Sequence, residues 1–451
     1  MAYKKDFLIE NKHDPEIMVG EERSFTSEFT KPLVKFDSWK TIIAISHSFN
    51  TFNKRELCVT GSLGLLHTLV EIEQPITNFI QVDIFNQMKA IYFPKDLNSP
   101  YDIVYLLGCY SPNFDPKSKL LNASETSIVS FSEYCSKEKN KKVAVYGDFD
   151  LDNDKKINNV DYIHWKKFPY HLNFQTVILW KSCGILNGFP FDLKAKNIIW
   201  ESHENSVGND KFIEIWSKYN NLYKIKKTIF KSNFHLTEIS KQLSNISNTI
   251  VIPSGIRVNE YKNNWDKVTR NPYRFCYTAS YDRGIEFIIK GIFSVIKKIE
   301  PRAELHIYSG MELINDENFQ KKMIKIFSEN GVTDHGKQGY DIISREKHLS
   351  SFHIYISNIV NEIDPIDIKE SIIAGCIPLT VNFGVFLETD GIRFHMNHED
   401  SKGMQRIGLE ILQLMKDQKK LDQIRNQFYN NIDQTQNWNQ YCYKLYQNIY
   451  N

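Results

Sequence analysis

Short apolar runs alternate with longer amphipathic segments along most of this 451-residue chain. The runs are rich in Ile, Val, Phe and Tyr and are bounded by polar residues, as in strands buried on both faces of a sheet. The segments between them place apolar residues at helical spacing. This rhythm predicts an α/β protein in which mostly parallel sheets are covered by helices.

The apolar runs form two sets, and each set predicts one sheet. A polar junction that contains Pro253 and Gly255 separates them. The pattern predicts strands at residues 41–46, 102–107, 142–146, 176–180, 197–200, 228–230 and 249–252 in the first set, and at 273–278, 303–308, 352–356 and 377–381 in the second.

The two sets predict two Rossmann-like domains, which agrees with a chain too long for one ordinary core. We place the N-terminal domain at residues 39–254 and the C-terminal domain at residues 255–432. Residues 1–38 are polar and aperiodic and are predicted as an extension. Residues 402–428 are predicted as helical. The end of the chain, residues 433–451, contains aromatic side chains at helical spacing and predicts a terminal helix packed on one of the domains.

Composition narrows the class of protein. The 56 basic and 54 acidic residues leave a formal net charge of +2, which gives no indication of a nucleic-acid surface. Seven cysteines without a Cys-x-x-Cys pair fit a reduced, cytoplasmic protein. There is no apolar leader at the N-terminus and no run of about 18 apolar residues, so we expect no secretion and no transmembrane segment.

The most informative stretch contains two carboxylates eight positions apart, Glu362 and Glu370, between two predicted strands. Loops at the carboxyl ends of strands in open α/β sheets are where ligands bind. Asp364 and Asp367 add negative charge to the same loop. Asp367 and Glu370 also have the spacing of a capping box, which explains Glu370 alone but not Glu362. We therefore predict a site that binds a polyhydroxyl ligand here.

Arg283 stands between a predicted strand and a predicted helix, in Tyr277-Thr-Ala-Ser-Tyr-Asp-Arg-Gly-Ile. A helix N-terminus and a guanidinium both favour an anion, and together they could stabilise the charge on a leaving diphosphate. The alternative is an exposed arginine beside a turn glycine. The segment predicts an anion site at the same edge of the sheet as the two glutamates.

Two weaker candidates lie in the first set. Gly61-x-x-Gly64 allows a ligand to approach the backbone, but it lacks the full Gly-x-Gly-x-x-Gly fingerprint, and Gly64 alternatively permits close helix packing. His203 follows the predicted strand 197–200. A lone histidine is more often structural, and its place at the carboxyl end of a strand is what makes it a candidate.

The alternating aspartates at residues 148–154 resemble a metal loop. An EF-hand needs glycine at its sixth position and glutamate at its twelfth, and here these are Asn153 and Asn159, so calcium is rejected. An Asp-x-Asp metal site for a sugar nucleotide is a further alternative, and a solvated turn is favoured over it. No His/Cys cluster has zinc spacing. We therefore predict no metal site.

The second set resembles glycosyltransferase family 4, retaining sugar-nucleotide transferases of the GT-B fold. The likeness covers about residues 250–395. The local sequence around Glu362 also resembles one branch of giant-virus glycosyltransferases. The matching stretches are Ile252-Pro-Ser-Gly-Ile-Arg257, Asp282-Arg-Gly-Ile-Glu-Phe-Ile with Pro301-Arg-Ala-Glu-Leu-His-Ile-Tyr-Ser-Gly310, the Glu362 and Glu370 pair, and Glu370-Ser-Ile-Ile-Ala-Gly-Cys-Ile-Pro378.

The resemblance assigns tasks to the pair of glutamates and to the cations. It implies that Glu362 contacts the donor sugar and that Glu370 holds the ribose of the nucleotide, with Ser371 as a further donor contact. Arg283 matches the lysine that binds the diphosphate in the family. The arginine expected before it is absent, and Lys337 is the candidate for the missing cation.

The likeness extends thinly to the first set. His203 with Glu204 resembles the His-Glu of some family members, in which the histidine lies near the transferred sugar, and Gly61 resembles a glycine turn. The resemblance also implies an N-terminal acceptor domain, a C-terminal donor domain, an interdomain cleft between them and a terminal helix, 433–451, that crosses back to the N-terminal domain.

The implied activity is retaining transfer of a hexose-type sugar from a nucleoside diphosphate to a hydroxyl acceptor such as a glycan, a glycoconjugate or a protein-linked sugar. It requires no cofactor besides the sugar nucleotide, and for a viral protein the place would be the host cytoplasm. One alternative is a catalytically silent sugar- or nucleotide-binding module of the same fold. Another, a nicotinamide-dependent oxidoreductase, expects a full glycine fingerprint that we do not find.

Overall fold

A computed structural model describes residues 97–108, 113–169, 172–181, 193–206, 225–243, 246, 248–262, 268–311, 316–356, 362–395 and 401–450. The chain divides into two compact units. The first consists of residues 1–98, 169–172 and 188–192, and nearly all of it lies outside the described residues, as do the predicted extension 1–38, the predicted strand 41–46 and Gly61. Both sheets described below belong to the second unit.

The first sheet has eight strands, and all of its pairings are parallel except β3 with β4. Their order across the sheet is β3-β4-β2-β1-β5-β6-β7-β8. The strands are β1 Ile103–Leu106, β2 Val143–Gly147, β3 Lys155–Ile157, β4 Val160–His164, β5 Phe174–Lys181, β6 Ala195–Ser202, β7 Ile225–Phe230 and β8 Thr249–Val251.

The second sheet has six strands, all paired in parallel, in the order β11-β10-β9-β12-β13-β14. The strands are β9 Asn271–Tyr277, β10 Glu304–Ile307, β11 Val332–Asp334, β12 Ser350–Ile354, β13 Ile377–Val381 and β14 Ile392–Phe394.

Helices connect the strands, as parallel pairing requires. One of them, α4, begins as an α-helix at Ile285–Phe287, continues as a π-helix over Ile288–Phe293 and ends as an α-helix at Ser294–Ile299. The others are α1 Ala123–Lys139, α2 Asn233–Gln242, α3 Val258–Lys262, α5 Glu317–Asn330, α6 Tyr340–Leu349, α7 Ile366–Ile373, α8 Ser401–Met415, α9 Gln418–Asn431 and α10 Trp438–Tyr450, with short 3₁₀ helices at Trp165–Lys167 and Gly384–Glu388.

The second sheet has a topological switch point between β9 and β12. From β9 the chain runs outward through β10 and β11, and it then returns to the other side of β9 to form β12, β13 and β14. Two loops therefore diverge at the carboxyl ends of β9 and β12, which leaves a crevice between them. The first sheet repeats this arrangement between β1 and β5 among its described strands.

The terminal helix α10 packs on the first sheet, as expected. Its side chains Tyr441, Leu445 and Ile449 are buried in one core cluster with side chains of α1 and of the first-sheet strands. The chain reaches this helix close to Gly255, where an added Cβ would lie 2.5 Å from the Cα of Trp438. Only glycine permits that approach of two backbones.

The carboxyl edges of the two sheets face each other. The backbone amides of Asn233 and Phe234, which follow β7, donate to the carboxylate of Glu388, which follows β13. Lys119, in the connection after β1, forms an ion pair with Asp341 at the start of α6. Loops that leave the carboxyl ends of both sheets therefore meet.

The predicted strands that fall within the described residues are all present, with ends shifted by a few residues. The short edge strands β3, β11 and β14 and the inner strand β4 were not predicted, because they lack a long apolar run. The single helix predicted at residues 402–428 is two helices, and Asp417 caps the second by accepting from the amide of Lys420. In the part of the chain that the structure describes, no helix has both the length and the apolar character needed to cross a bilayer.

Candidate functional site

Arg283 and Glu362 meet at the switch point of the second sheet. Arg283 follows β9 and Glu362 follows β12, and an Arg283 Nη1 donates to Glu362 Oε2 at 2.6 Å. The hydroxyl of Tyr355, directly after β12, completes a triangle: it accepts from Arg283 at 3.0 Å and donates to Glu362 at 3.1 Å. The structure therefore brings together two of the predicted site residues and adds a tyrosine.

Burial and neighbouring charged groups shift the pKa values of Glu362 and Arg283 in this triangle. Burial and the neighbouring carboxylates Asp367 and Asp364 raise the pKa of Glu362, although Arg283 acts against them. For Arg283, burial opposes the charge, but Tyr355 and Glu362 outweigh it and raise the pKa above its usual range. The arginine remains cationic, with 35% of its side chain exposed, against 18% for Glu362.

Helix α4 begins directly after Arg283. Gly284 precedes its first turn with φ of 88°, in the left-handed region that favours glycine, and no side chain caps the helix among the described residues. Uncapped amides at a helix N-terminus favour anions. Arg283 therefore directly precedes a helix at the end of a strand, as the sequence indicated, and the anion site itself stays a prediction.

Asp364 and Asp367 do not form an open acidic patch. Asp364 accepts from the backbone amide of Ser254 at 2.7 Å and from the ammonium of Lys369. Asp367 accepts from the hydroxyl of Thr278 at 3.0 Å. Both carboxylates add negative charge near the loop, as predicted, and both have partners inside the protein.

Glu370 lies in α7 and is paired with Arg257. Its Oε1 accepts from an Arg257 Nη1 at 3.2 Å and from the Arg257 backbone amide at 3.3 Å. The same guanidinium donates to the hydroxyl of Thr126 in α1 at 3.1 Å and lies over the ring of Tyr340. The Arg257 guanidinium therefore neutralises the charge of Glu370.

The capping-box alternative for Glu370 is wrong. Helix α7 begins at Ile366, so Pro365 is the N-cap, and Asp367 lies inside the first turn rather than at the cap. The helix ends before Gly375, which has φ of 72°, and the amide of Cys376 donates to the carbonyl of Ser371.

Ser371 is fully buried beneath the loop. Its hydroxyl donates to the carbonyl of Asp367 at 2.7 Å and lies 2.7 Å from Nδ1 of His353. Burial and Lys347 lower the pKa of His353 to about 3, so the ring is neutral. The observed contacts of Ser371 connect β12 to α7, and its predicted contact with a donor stays a prediction.

Lys337 is exposed in the turn that follows β11, the edge strand. Strand β10 separates β11 from β9, and no ion pair joins Lys337 to Glu362 within the described ranges. The structure does not bring it into the triangle of Arg283, Tyr355 and Glu362, and its task as the second cation stays a prediction.

His203 lies at the carboxyl end of β6, as predicted, and its side chain is fixed by the buried carboxylate of Glu201. Its Nε2 is 3.0 Å from Oε1 of Glu201, and its ring lies 5.7 Å from the ring of Trp180. Glu201 is fully buried and also accepts from Lys231 at 2.6 Å. Burial and Lys231 lower the pKa of His203 to about 4, so the imidazole is neutral near pH 7.

Glu201 is surrounded by donors. The hydroxyl of Tyr441 in α10 donates to Oε1 at 2.5 Å, and the hydroxyl of Tyr105 in β1 donates to Oε2 at 3.0 Å. Burial opposes its charge, but Lys231 and His203 outweigh it and hold the pKa well below the usual range. Glu201 is therefore an ionised carboxylate inside the first-sheet core.

Several of these residues were missed from the sequence. Tyr355 and Glu201 each lie at the end of a predicted strand, and that position is a signal that could have identified them. Lys231 also directly follows a predicted strand. Arg257 and Tyr441 reach their partners from elements far along the chain, and no local pattern marks them.

The turn at residues 148–154 is solvated, as favoured from the sequence. Asp150 accepts from the amide of Asp152, and both side chains are exposed. Within the described segments, no group of three His, Cys, Asp or Glu side chains is arranged to hold a metal ion.

A hollow of about 350 Å³ lies at the opposite, amino end of β9 and β12, lined in part by Arg270 and Arg425. Both guanidiniums donate hydrogen bonds to main-chain carbonyls, Arg270 to that of Ala374 and Arg425 to that of Gly375. They hold the end of α7, so we assign this hollow to the support of the helix rather than to the site.

Comparisons with known proteins bear on the fold. No protein-family model matches the sequence, and no curated protein matches it. Several solved structures, however, have a similar fold. Sucrose-phosphate synthase from Thermosynechococcus elongatus superposes with a TM-score of 0.60 at 11% identity, over 77% of this chain and 98% of that one.

Two further solved structures are similar. HepE from Anabaena, in complex with UDP and glucose, gives a TM-score of 0.56 at 12% identity, over 77% of this chain and 98% of that one. TarM from S. aureus gives 0.47 at 16% identity over 61% of this chain, and the chain spans about half, 55%, of the length of TarM.

These structural neighbours are GT-B glycosyltransferases. At such low identity the likeness establishes architecture alone, and membership of family 4 and a viral origin stay predictions. The two parallel sheets with diverging loops at their switch points agree with it. The chain has the GT-B fold, as the sequence predicted.

Proposed function

We propose that this protein is a retaining glycosyltransferase that moves a hexose-type sugar from a nucleoside diphosphate to a hydroxyl acceptor. The observation that carries the proposal is the triangle of Arg283, Tyr355 and Glu362 at the switch point of the second sheet. A cation beside uncapped helix amides suits a diphosphate, and a carboxylate next to it suits a sugar hydroxyl.

In the proposed reaction the bond between C1 of the sugar and the β-phosphate oxygen breaks. The acceptor oxygen forms its bond to C1 on the same face, and the leaving phosphate takes the acceptor proton. The protein then contributes orientation and stabilisation of the diphosphate charge. Neither a protein nucleophile nor a metal is required by this scheme.

Donor binding would rearrange the triangle. In the observed state Arg283 is neutralised by Glu362. A diphosphate carries more charge than one carboxylate and would compete for the guanidinium, which frees Glu362 to accept a hydrogen bond from the sugar. His203, at the carboxyl edge of the facing sheet, is proposed as a second contact to the transferred sugar.

The test is a screen of UDP-, GDP- and dTDP-sugars by thermal shift, followed by a coupled assay of nucleoside diphosphate release. UDP-glucose is the first probe, because HepE was also solved with it. A bound donor stabilises in proportion to the logarithm of its saturation, by about 2.7 kcal/mol at 100 times its Kd. We expect stabilisation and turnover in the wild type, and loss of turnover in Glu362→Ala.

One specific observation favours a second candidate, a catalytically silent sugar- or nucleotide-binding module. Glu370 is already neutralised by Arg257, and Arg283 is the one cation in contact with Glu362 within the described residues. Binding of a sugar nucleotide without turnover, unaffected by Glu362→Ala, would support the module over the enzyme.

A further inference from the structure

A buried hydrogen-bond network lies beneath His203 in the first sheet. Glu201, Lys231 and Tyr441 are each at most 1% exposed. Lys231 donates to Glu201 at 2.6 Å and to the Tyr441 hydroxyl at 3.1 Å, and its ammonium lies 4.7 Å from the centre of that ring. The network therefore joins the ends of β6 and β7 to the terminal helix α10.

The network determines which nitrogen of His203 carries the proton. Glu201 accepts from an ammonium and two hydroxyls, so it is ionised and can act towards His203 only as an acceptor. The nitrogen 3.0 Å away, Nε2, must then be the donor. A neutral imidazole with its proton on Nε2 presents Nδ1 as an acceptor.

We propose that Glu201 is a positioning residue, fixed by Lys231 and Tyr441, which holds His203 in the tautomer whose Nδ1 accepts a hydrogen bond from a sugar hydroxyl. The part of this inference that concerns the sugar rests on the proposed function. The network itself makes the terminal helix a component of the site, because Tyr441 reaches Glu201 from 240 residues away.

A neutral acceptor at this place is suited to a hydroxyl and not to a phosphate. A histidinium would attract the diphosphate, whereas an Nδ1 lone pair is repelled by anionic oxygen and pairs with an O–H donor. We therefore assign His203 to the sugar end of the donor, with the diphosphate left to Arg283.

The first measurement needs no donor. Histidine side chains are labelled with ¹⁵N in the whole protein, and the His203 signals are assigned by their loss in His203→Gln. At pH 7 we expect a neutral ring protonated at Nε2. In a double variant, Glu201→Gln with Lys231→Met, both buried charges are removed together, and we expect a mixture of the two tautomers.

The second measurement separates positioning from packing. Tyr441→Phe keeps the ring but removes one donor to Glu201, and we expect kcat with UDP-glucose to fall on the order of 10-fold with little change in KM. Ile449→Val is the matched control, because it trims the same face of α10 without a contact to Glu201. We expect it to keep wild-type kcat.

If the protein does not turn over UDP-glucose, the ¹⁵N spectrum of His203 alone tests the inference. A wild-type His203 protonated at Nδ1, or a double variant that retains the wild-type tautomer, overturns it. Equal kcat in Tyr441→Phe and Ile449→Val also overturns it. A wild type that is inactive with every sugar nucleotide of the screen but shows the expected tautomer contradicts the proposed function and leaves the positioning by Glu201 supported.

Discussion

Single side chains at the site are held by partners from distant parts of the chain. Glu370 is paired with Arg257, and Glu201 is held by Tyr441. The sequence predicted Glu362, Arg283 and His203 at strand ends, because a strand followed by a polar loop is a local pattern. It missed Arg257 and Tyr441, because their contacts depend on how two elements pack and not on local spacing.

Glu370→Ala should weaken binding of UDP by roughly 10-fold or more, since a hydrogen bond to a charged group contributes about 1.5–3 kcal/mol. Isothermal titration with UDP measures this. Glu410→Ala is the control, because Glu410 is half exposed and pairs with Arg406 four residues away, and within the described part of the chain no contact joins it to Glu370. Equal affinity for UDP in the two variants would show that Glu370 pairs with Arg257 but does not contact the nucleotide.

Buried histidines are a second residue-scale feature with a measurable effect. Desolvation first, and nearby cations second, lower the pKa of His353 to about 3 and that of His203 to about 4. Desolvation also lowers the pKa of His235 to about 4. In the unfolded chain these side chains titrate near 6.5.

The folded protein therefore binds fewer protons than the unfolded chain between about pH 6.5 and pH 4, so stability falls as the pH decreases through this range. We expect a loss of about 2 kcal/mol for each histidine between pH 7 and pH 5. Glu362 acts in the opposite direction, since burial raises its pKa, but the pKa values of His306 and His348 are also lowered and add to the effect of the three histidines.

Urea unfolding at pH 7 and pH 5 measures this dependence. His353→Gln should reduce the difference between the two stabilities, because it removes one of the three groups. Ile449→Val should lower both stabilities equally. A difference in His353→Gln as large as in the wild type would contradict the neutral, buried state of His353.

At the scale of elements, the junction between the sheets contains one close contact between two backbone segments. An added methyl at Gly255 would lie 2.5 Å from the Cα of Trp438, where the chain enters α10. Gly255→Ala should destabilise the protein by about 1–3 kcal/mol, because backbone must shift to admit the methyl. Denaturant unfolding of the whole protein measures the loss.

Gly391→Ala is the matched control for this prediction. Its added methyl would meet the side-chain hydroxyl of Thr380 at 3.1 Å, and a hydroxyl yields more easily than a backbone atom. Gly255→Ala should therefore lose clearly more stability than Gly391→Ala. Equal losses would mean that the contact of Gly255 with α10 does not hold the junction.

The elements themselves were largely predictable. Strands such as β5 and β6 are buried on both faces, and their nearly continuous apolar runs are visible in the sequence. The edge strand β3 is three residues long, and its two lysines are exposed, so no apolar signal marks it. Helices α8 and α9 were predicted as one because the cap at Asp417 lies in a continuous polar stretch.

At the scale of the molecule, two sheets face each other through the loops at their carboxyl edges. Glu388 accepts from the first amides of α2 across this junction, and Arg257 donates to Thr126 across it. The local pattern predicted each sheet, but the pairs that join them are long-range contacts. The central claim is that the second sheet supplies the cation for a diphosphate at this junction.

The most direct test of that claim is the effect of Arg283→Ala on kcat and on the Kd for UDP-glucose. We predict that kcat falls by about 100-fold, as for loss of a group that stabilises developing charge, while the Kd changes by less than about 10-fold. Arg302→Ala, which removes an exposed arginine paired with Glu300, should match the wild type. Equal turnover in the two variants would contradict the account.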